Sequence, residues 1–220
     1  MLDATTHAQL LSLSTPMLAD ARVRLGLQEN HLDPGIRPVV PFTKMCGTAV
    51  TVELETDISG ARDELSPLLD AYSNPGVPFP VMVIQIPVES HHRGIFGEGA
   101  ANFARQSAFE GILVEGGVRD THELRDLAFP AFSRTIGCGY MMGKVKVKSV
   151  GQPVSVGGRT VSKGDAILAD NDGVMVVGQA DLDQVLAKAL AIREWEAVII
   201  AHMAAGKDSR EALSLGGEMP

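Results

Sequence analysis

The chain of 220 residues carries a net charge of −8, and 45% of its residues are hydrophobic, a balance typical of a domain with a packed core. Because no basic patch stands out, nucleic acid is not expected as the main ligand. We recognise no signal peptide and no apolar run long enough for a membrane span, and two cysteines without metal-type spacing, Cys46 and Cys138, favour a reducing, cytoplasmic location.

Hydrophobic periodicity predicts strands and helices that interleave along most of the chain, which indicates an α/β fold in one domain over residues 1–220. Helices are expected within residues 1–30, and a long helix followed by a polar tail is expected over 181–220. The predicted helices are 10–26, 59–72, 97–109, 121–127 and 181–205. The predicted strands are 47–55, 81–87, 112–115, 131–137 and 145–150, then a hairpin over 154–161 and two strands within 165–177.

Several large apolar side chains are predicted to face the core from these helices. They include Val23 on the first helix, Leu69 on the second and Phe103 on the third. Cys138 lies between two glycines with no histidine base near it in sequence, and we expect it to be buried.

The segment from residue 110 to residue 123 organises the chain. The apolar run at residues 112–115 predicts a buried strand. A turn is expected at Gly116-Gly117, and a helix is expected to begin near Asp120. The carboxyl end of such a strand is where α/β proteins bind ligands. The guanidinium of Arg119 suits a carboxylate, and Asp120 and Glu123 share one helix face. A second interpretation is structural, with Asp120 and Glu123 capping the helix.

A second candidate is the helix start at Gly97-Glu98-Gly99-Ala100. Its backbone N–H groups form an anion site, and glycine and alanine allow a ligand to approach closely. It lacks the third glycine of a dinucleotide fingerprint, so a Rossmann site is not expected. An ordinary helix start remains the alternative. Together, the two candidates predict a site for a small 2-oxo acid chelated to Mg²⁺ or Mn²⁺.

The spacing of these residues matches a known pattern. Twenty residues separate Glu98 from Arg119-Asp120, and Glu123 follows three positions later. The spacing resembles the aspartate-x20-Arg-Asp pattern of class II pyruvate aldolases that cleave 4-hydroxy-4-methyl-2-oxoglutarate and 4-carboxy-4-hydroxy-2-oxoadipate. It is also similar to the Arg-Asp-x-x-Glu/Asp pattern of the RraA-like family, the regulators of ribonuclease activity A. Further matching segments are 15–21, 47–51, 111–120 and 164–174.

The resemblance implies a metal site. Asp120 is then the direct ligand of Mg²⁺ or Mn²⁺, and Glu123 supports the water shell of the metal. Glu98 stands where the aldolases carry an aspartate and bonds to metal-bound water. A late glutamate from a neighbouring subunit also approaches this site in the aldolases, and Glu196 is the candidate here.

The resemblance also implies the substrate contacts, the fold and the assembly. Arg119 contacts the substrate and steadies a pyruvate enolate. The turn at Gly97 leads to Gly99 and Ala100, whose N–H groups meet the pyruvyl carboxylate. The implied fold is a three-layer β/β/α swivelling domain, and the implied assembly is a homotrimer or a dimer of trimers. The implied activity is a lyase that releases pyruvate and also decarboxylates oxaloacetate.

Rival functions remain at this stage. The first is an RraA-like regulator that binds a ribonuclease without catalysis, and an acidic residue at Glu98 favours the enzyme over it. The second is a phosphotransfer swivelling domain, for which no histidine has a matching glycine-rich context. His91 and His92 are expected to be solvated loop residues, and Asp170 to belong to a turn.

Overall fold

A curled, mixed β-sheet forms the centre of the molecule in a computed structural model that describes residues 2–57 and 66–220. Alternating apolar and polar residues and β-branched side chains make these segments extended. The strands of the described residues are β1 (Arg37–Pro38), β2 (Met45–Thr56), β3 (Pro80–Gln85), β4 (Gly94–Phe96), β5 (Gly111–Val118), β6 (Ala131–Ile136), β7 (Val145–Val150), β8 (Val154–Val156), β9 (Arg159–Val161), β10 (Ala166–Ala169) and β11 (Val174–Val177).

The sheet runs in the order β1-β6-β5-β3-β2-β10-β11, with β4 beside β5 and β7 beside β2. Its middle strands β2, β3, β5 and β6 are parallel, and β10 and β11 are antiparallel. Strands β8 and β9 form a separate hairpin. The helices of the described residues are α1 (Ala4–Leu11), α2 (Thr15–Arg24), α3 (Ser66–Ser73), α4 (Glu98–Gln106), α5 (Thr121–Asp126), α6 (Leu182–Ala204) and α7 (Ser209–Gly216).

The two faces of the sheet are covered differently, and β5 shows this clearly. Its Ile112 and Val114 pack with side chains of α3, α4 and α5 on one face. The residue between them, Leu113, packs on the other face with Val156 and its neighbours in the β8–β9 hairpin. Successive strand residues point to opposite faces, so Ile112, Leu113 and Val114 are all buried. The three-layer β/β/α arrangement implied by the resemblance is therefore confirmed.

The long helix α6 lies beside α1 and α2 at the β10–β11 end of the sheet. Its inner side is formed by the residues that helical spacing predicted, which are Leu182, Val185, Leu186, Ala189 and Ile192. Nearby, the Asp170 carboxylate accepts hydrogen bonds from the backbone N–H and hydroxyl of Thr15 at 2.8 and 2.7 Å. Asp170 thus fastens the start of α2, and it also accepts from the Asp172 amide within its own turn.

Most predicted elements are confirmed, but three predicted core side chains are wrong. Val23, Leu69 and Phe103 are 53%, 51% and 56% exposed. On α4 the buried positions are Ala101 and Ala104, because the helix presents its narrow alanine side to the sheet. The polar tail also contains the short helix α7, where Asp208 caps the Glu211 amide. Residues 59–65 of the predicted second helix lie outside the described residues.

Among the helices of residues 2–57 and 66–220, none combines the length and the apolar character needed to cross a membrane.

The hairpin is fastened to the sheet by two side chains on neighbouring strands. Gln85 and Glu115 are register partners on β3 and β5. The Ser155 amide donates to the side-chain oxygen Oε1 of Gln85, and the Gly157 amide donates to Glu115 Oε2, both at 2.6 Å. Arg134 donates to both carboxylate oxygens of Glu115, and these hydrogen bonds raise the pKa of the guanidinium. One side chain thus joins β5, β6 and the hairpin.

We expect Glu115→Ala to lower the free energy of unfolding by about 2 kcal/mol, because it leaves a half-buried amide and guanidinium without their shared acceptor. Urea denaturation followed by circular dichroism measures this change. Glu211→Ala is the control, since the exposed pair of Glu211 with Lys207 contributes no more than about 0.5 kcal/mol. Equal losses in the two variants would contradict a structural role for Glu115.

Candidate functional site

The candidate site lies where β4 passes beside the end of β5. The prediction of a turn at Gly116-Gly117 is wrong, because both glycines lie inside β5, where its register to β6 shifts. A side chain at Gly117 would overlap with the Arg93 carbonyl oxygen, and Gly116 has a φ of 151°. Glycine here therefore lets the neighbouring chain approach closely and lets β5 continue to Val118.

Asp120 follows directly and has a left-handed backbone, with φ 54° and ψ 43°. Asp tolerates this region better than most residues. Its side chain makes no cap bond to its own helix α5, so the capping interpretation is wrong. Instead, Oδ2 accepts a hydrogen bond of 3.1 Å from the Glu98 amide and lies 3.6 Å from Arg119 Nε. The structure therefore brings Arg119, Asp120 and the start of α4 together.

A pocket of about 130 Å³ opens beside this pair. Its lining includes Arg119 and Asp120, and its size suits a ligand of a few heavy atoms rather than a nucleotide. Gly99 and Ala100 contribute the first turn of α4, where amides have no partner inside the helix. Arg119 and Asp120 are 42% and 36% exposed in their side chains, so a small ligand can reach both. The remaining lining residues are Gly94, Ile95, Gly97, Tyr140, Met141 and Met142.

The donor set at Asp120 fits a hard divalent ion. Within the described residues its Oδ1 makes no hydrogen bond, while Oδ2 is held by the Glu98 amide. In the same part of the chain, no three Asp, Glu, His or Cys side chains are grouped closely enough to hold a metal ion alone. Mg²⁺ commonly binds one or two carboxylates and keeps water and substrate oxygens as its other ligands. One available aspartate oxygen beside an open pocket is compatible with that mode.

The other acidic residues predicted for the metal site lie differently. The side chains of Glu98 and Glu123 are exposed and do not line the pocket. Glu98 takes part through its backbone amide. Glu196 lies half-buried on α6, which packs against α1, α2 and α7. The metal roles of these three glutamates remain predictions.

One wall of the pocket was missed from sequence. Tyr140, Met141 and Met142 lie in the loop after β6 and also line the pocket. The loop is tied to β4, because the Gly94 amide donates to the Gly139 carbonyl and Arg93 donates to the Tyr140 carbonyl at 2.8 Å. The glycines at 137, 139 and 143 were the sequence signal for such a close approach.

Two further predictions concern residues beside this wall. Cys138 is exposed, so the prediction that it is buried is wrong. The other cysteine, Cys46, is buried, and this burial raises the pKa of its thiol to about 12. His92 is exposed as expected, whereas His91 is half-buried, with Nε2 lying 3.1 Å from the Ile86 carbonyl oxygen.

The chain thus combines a three-layer β/β/α fold with an Arg-Asp pair at the end of its central strand, beside a small polar pocket. The RraA-like family model, described as Aldolase/RraA, matches residues 15–176. This chain belongs to the RraA-like family.

Related sequences carry several names. A Halalkalibacterium halodurans protein provisionally named 4-hydroxy-4-methyl-2-oxoglutarate aldolase is 29% identical, over 82% of this chain and 80% of its own length. An uncharacterised protein of Methanocaldococcus jannaschii is 26% identical, over 94% of this chain and 92% of that one. Protein DlpA of Legionella pneumophila is 27% identical over 93% of this chain, but the chain spans only 32% of its length.

Solved structures share the fold. An uncharacterised protein of Pseudomonas syringae pv. tomato has a TM-score of 0.80 at 25% identity, with 96% of this chain and 98% of that chain covered. Streptomyces coelicolor RraAS2, described as an unusual member of the RNase ES inhibitor RraA protein family, has a TM-score of 0.78 at 22% identity. Here 93% of this chain and all of the other are covered.

Two glycines at the start of α4 allow a test of the geometry around Asp120. A methyl group at Gly97 would overlap with Asp120 Oδ2, whereas one at Gly99 meets nothing within 4 Å. Gly97→Ala is expected to displace the carboxylate and weaken Mn²⁺ binding about tenfold or more, measured by electron paramagnetic resonance. Gly99→Ala is expected to stabilise the fold by up to about 1 kcal/mol through helix propensity. Unchanged Mn²⁺ binding by Gly97→Ala would argue against Asp120 as the ligand.

Proposed function

We propose that this protein is a divalent-metal-dependent carbon–carbon lyase of the class II pyruvate aldolase type. Its substrates are 4-hydroxy-2-oxo diacids such as 4-hydroxy-4-methyl-2-oxoglutarate, and oxaloacetate is decarboxylated at the same site. The observation that carries this proposal is the contact of Asp120 with both Arg119 and the first amide of α4, at the edge of one small pocket.

Binding follows from the charges around the pocket. The carboxylate of a 2-oxo acid meets the free amides of the first turn of α4, at Gly99 and Ala100. Arg119 supplies a fixed positive charge with a planar fork that suits an anionic oxygen. Asp120 would hold Mg²⁺ or Mn²⁺ through its carboxylate, and Glu98 and Glu123 would accept hydrogen bonds from water near it.

The reaction needs negative charge to be stabilised on the pyruvate part. In cleavage, a water molecule beside Asp120 would accept the proton of the C4 hydroxyl, C4 becomes a carbonyl as the C3–C4 bond breaks, and the electron pair of that bond leaves pyruvate as the enolate. The same water would return the proton to C3. When bound, the metal supplies Lewis-acid stabilisation of that charge. Arg119 adds a preorganised cation at the same place. Loss of carbon dioxide from oxaloacetate leaves the same enolate, so one site serves both reactions.

The relatives give this proposal its support. Proteins of Halalkalibacterium halodurans and Deinococcus radiodurans, provisionally named 4-hydroxy-4-methyl-2-oxoglutarate aldolases, match this chain at 29% and 34% identity, the second over 38% of the chain. The description of RraAS2 as belonging to a family of ribonuclease inhibitors supports the rival function, a non-catalytic regulator. The rival predicts ribonuclease binding without turnover, so an assay of pyruvate release distinguishes the two.

We expect Mg²⁺-dependent pyruvate release from 4-hydroxy-4-methyl-2-oxoglutarate and from oxaloacetate, followed with lactate dehydrogenase and lost on addition of a chelator. Asp120→Asn is expected to abolish it, because the amide keeps the shape and tolerates the left-handed backbone but loses the charge. Arg119→Ala is expected to lower kcat about a hundredfold, equal to about 3 kcal/mol of transition-state stabilisation.

The outcomes separate the alternatives. Turnover that survives chelation, or that survives in Asp120→Asn, would contradict the metal role of Asp120. An inactive wild-type protein that binds a ribonuclease would favour the regulator. Circular dichroism spectra of the variants control for folding.

We also propose that the protein forms a homotrimer or a dimer of trimers, in which Glu196 of one subunit completes the site of its neighbour. Exposed apolar side chains near Glu196 on α6, at Val198, Ile200 and Met203, support an interface there. Sedimentation velocity measures the assembly.

Mixing two inactive variants tests the shared site. When Asp120→Asn and Glu196→Gln subunits are unfolded, mixed and refolded, some sites receive both native residues, so activity is expected to reappear. Asp120→Asn mixed with Arg119→Ala is the control, because both changes lie in the same half of every site. Failure of the first mixture to regain activity above the control would exclude Glu196 from a shared site.

A further inference from the structure

A second depression lies next to Arg119 and Asp120. It has a volume of about 280 Å³, more than twice the 130 Å³ of the first pocket. Arg119 and Asp120 line both, so these two residues form the boundary at which the depressions meet. A ligand held by this pair therefore contacts two spaces of different size. The three-carbon fragment of the proposed reaction needs only the smaller one.

The wall of the second depression comes from the end of β6 and from the start of α5. Ile136, the last residue of β6, is 65% exposed and presents an alkyl side chain there. Thr121 and the exposed Cys138 add a hydroxyl and a thiol. The lining is therefore apolar on one side and weakly polar elsewhere, with the Arg119 cation at its boundary.

The floor of this depression is fixed by backbone packing. A side chain at Gly137 would overlap with the His92 carbonyl oxygen, and the Gly137 amide donates to the Val118 carbonyl at 2.9 Å. The position of Ile136 relative to Arg119 is thus set by the pairing of β6 with β5. A side chain held at a fixed place beside the charged pair can discriminate between ligands, because little rearrangement is available to accommodate a poor fit.

We propose that the second depression receives the part of the substrate beyond the bond that breaks, and that Ile136 selects an alkyl substituent on the hydroxyl-bearing carbon. The inference rests on the proposed lyase function. A methyl group at that carbon contacts the Ile136 side chain, while the oxygens of the leaving fragment meet Thr121 and Arg119.

The test compares 4-hydroxy-4-methyl-2-oxoglutarate with 4-hydroxy-2-oxoglutarate, which lacks the methyl group, in Ile136→Thr. Threonine keeps the β-branched shape that suits a strand and replaces alkyl surface by a hydroxyl. The wild-type protein is expected to favour the methylated substrate in kcat/KM. Ile136→Thr is expected to lower that ratio about tenfold, the discrimination that one methyl group in an apolar site provides.

Val23→Thr is the matched control, because Val23 is 53% exposed on α2 and lines neither depression. Its ratio is expected to equal that of the wild type. If the wild-type protein turns over both substrates and Ile136→Thr leaves the ratio of their kcat/KM values unchanged, this inference is overturned and the lyase function stands. A wild-type protein inactive on both substrates and on oxaloacetate would overturn the lyase function and the inference with it.

Alkylation of Cys138 gives a readout that does not depend on turnover. N-ethylmaleimide is expected to modify Cys138 alone, since Cys46 is buried and its thiol pKa is raised to about 12. In the presence of Mg²⁺, 2-oxoglutarate, which has no 4-hydroxyl group and is not cleaved, is expected to slow the labelling severalfold, whereas oxalate is too short to extend beyond the smaller pocket and leaves the rate unchanged. Equal protection by both, or by neither, would count against a separate subsite.

Discussion

A single hydrogen bond, from the Glu98 amide to the Asp120 carboxylate, joins two segments that lie 22 positions apart in the chain. It connects the start of α4 to the end of β5, so the amides of one helix and the charges of one strand face the same space. The contact requires β4 to run close beside β5, which the paired glycines at 94 and 117 permit. The rest of the site is arranged around this bond.

β5, the strand that leads to Arg119 and Asp120, is also fastened a few residues before this pair. Glu115 accepts hydrogen bonds from Arg134 of β6 and from the amide of Gly157 in the hairpin. β5 is therefore fixed on both of its edges and on one face before it reaches the site. A rigid support of this kind suits a pair of opposite charges, because preorganised groups stabilise developing charge without rearranging first.

Much of this arrangement followed from sequence, because buried parallel strands leave long apolar runs and ligands gather at their carboxyl ends. The pocket wall at Tyr140 and Met142 could not be predicted from sequence, because it depends on a contact between Arg93 and a loop 47 positions later. The left-handed backbone of Asp120 was also invisible, because an aspartate before a helix usually indicates a cap. The exposure of Cys138 likewise depends on where that loop lies.

Even a methyl group would collide with a neighbouring atom at four glycines of this region, which are Gly94, Gly97, Gly117 and Gly137. The base of the binding region is thus built from bare backbone and admits no new side chain. Redesign of what this chain accepts therefore falls to Gly99, where an added methyl group meets nothing within 4 Å, and to the rim, where Ile136, Cys138, Tyr140 and Met142 are exposed. The scaffold separates a fixed reaction centre from replaceable positions that set substrate preference, and a mutant library need cover only those five codons.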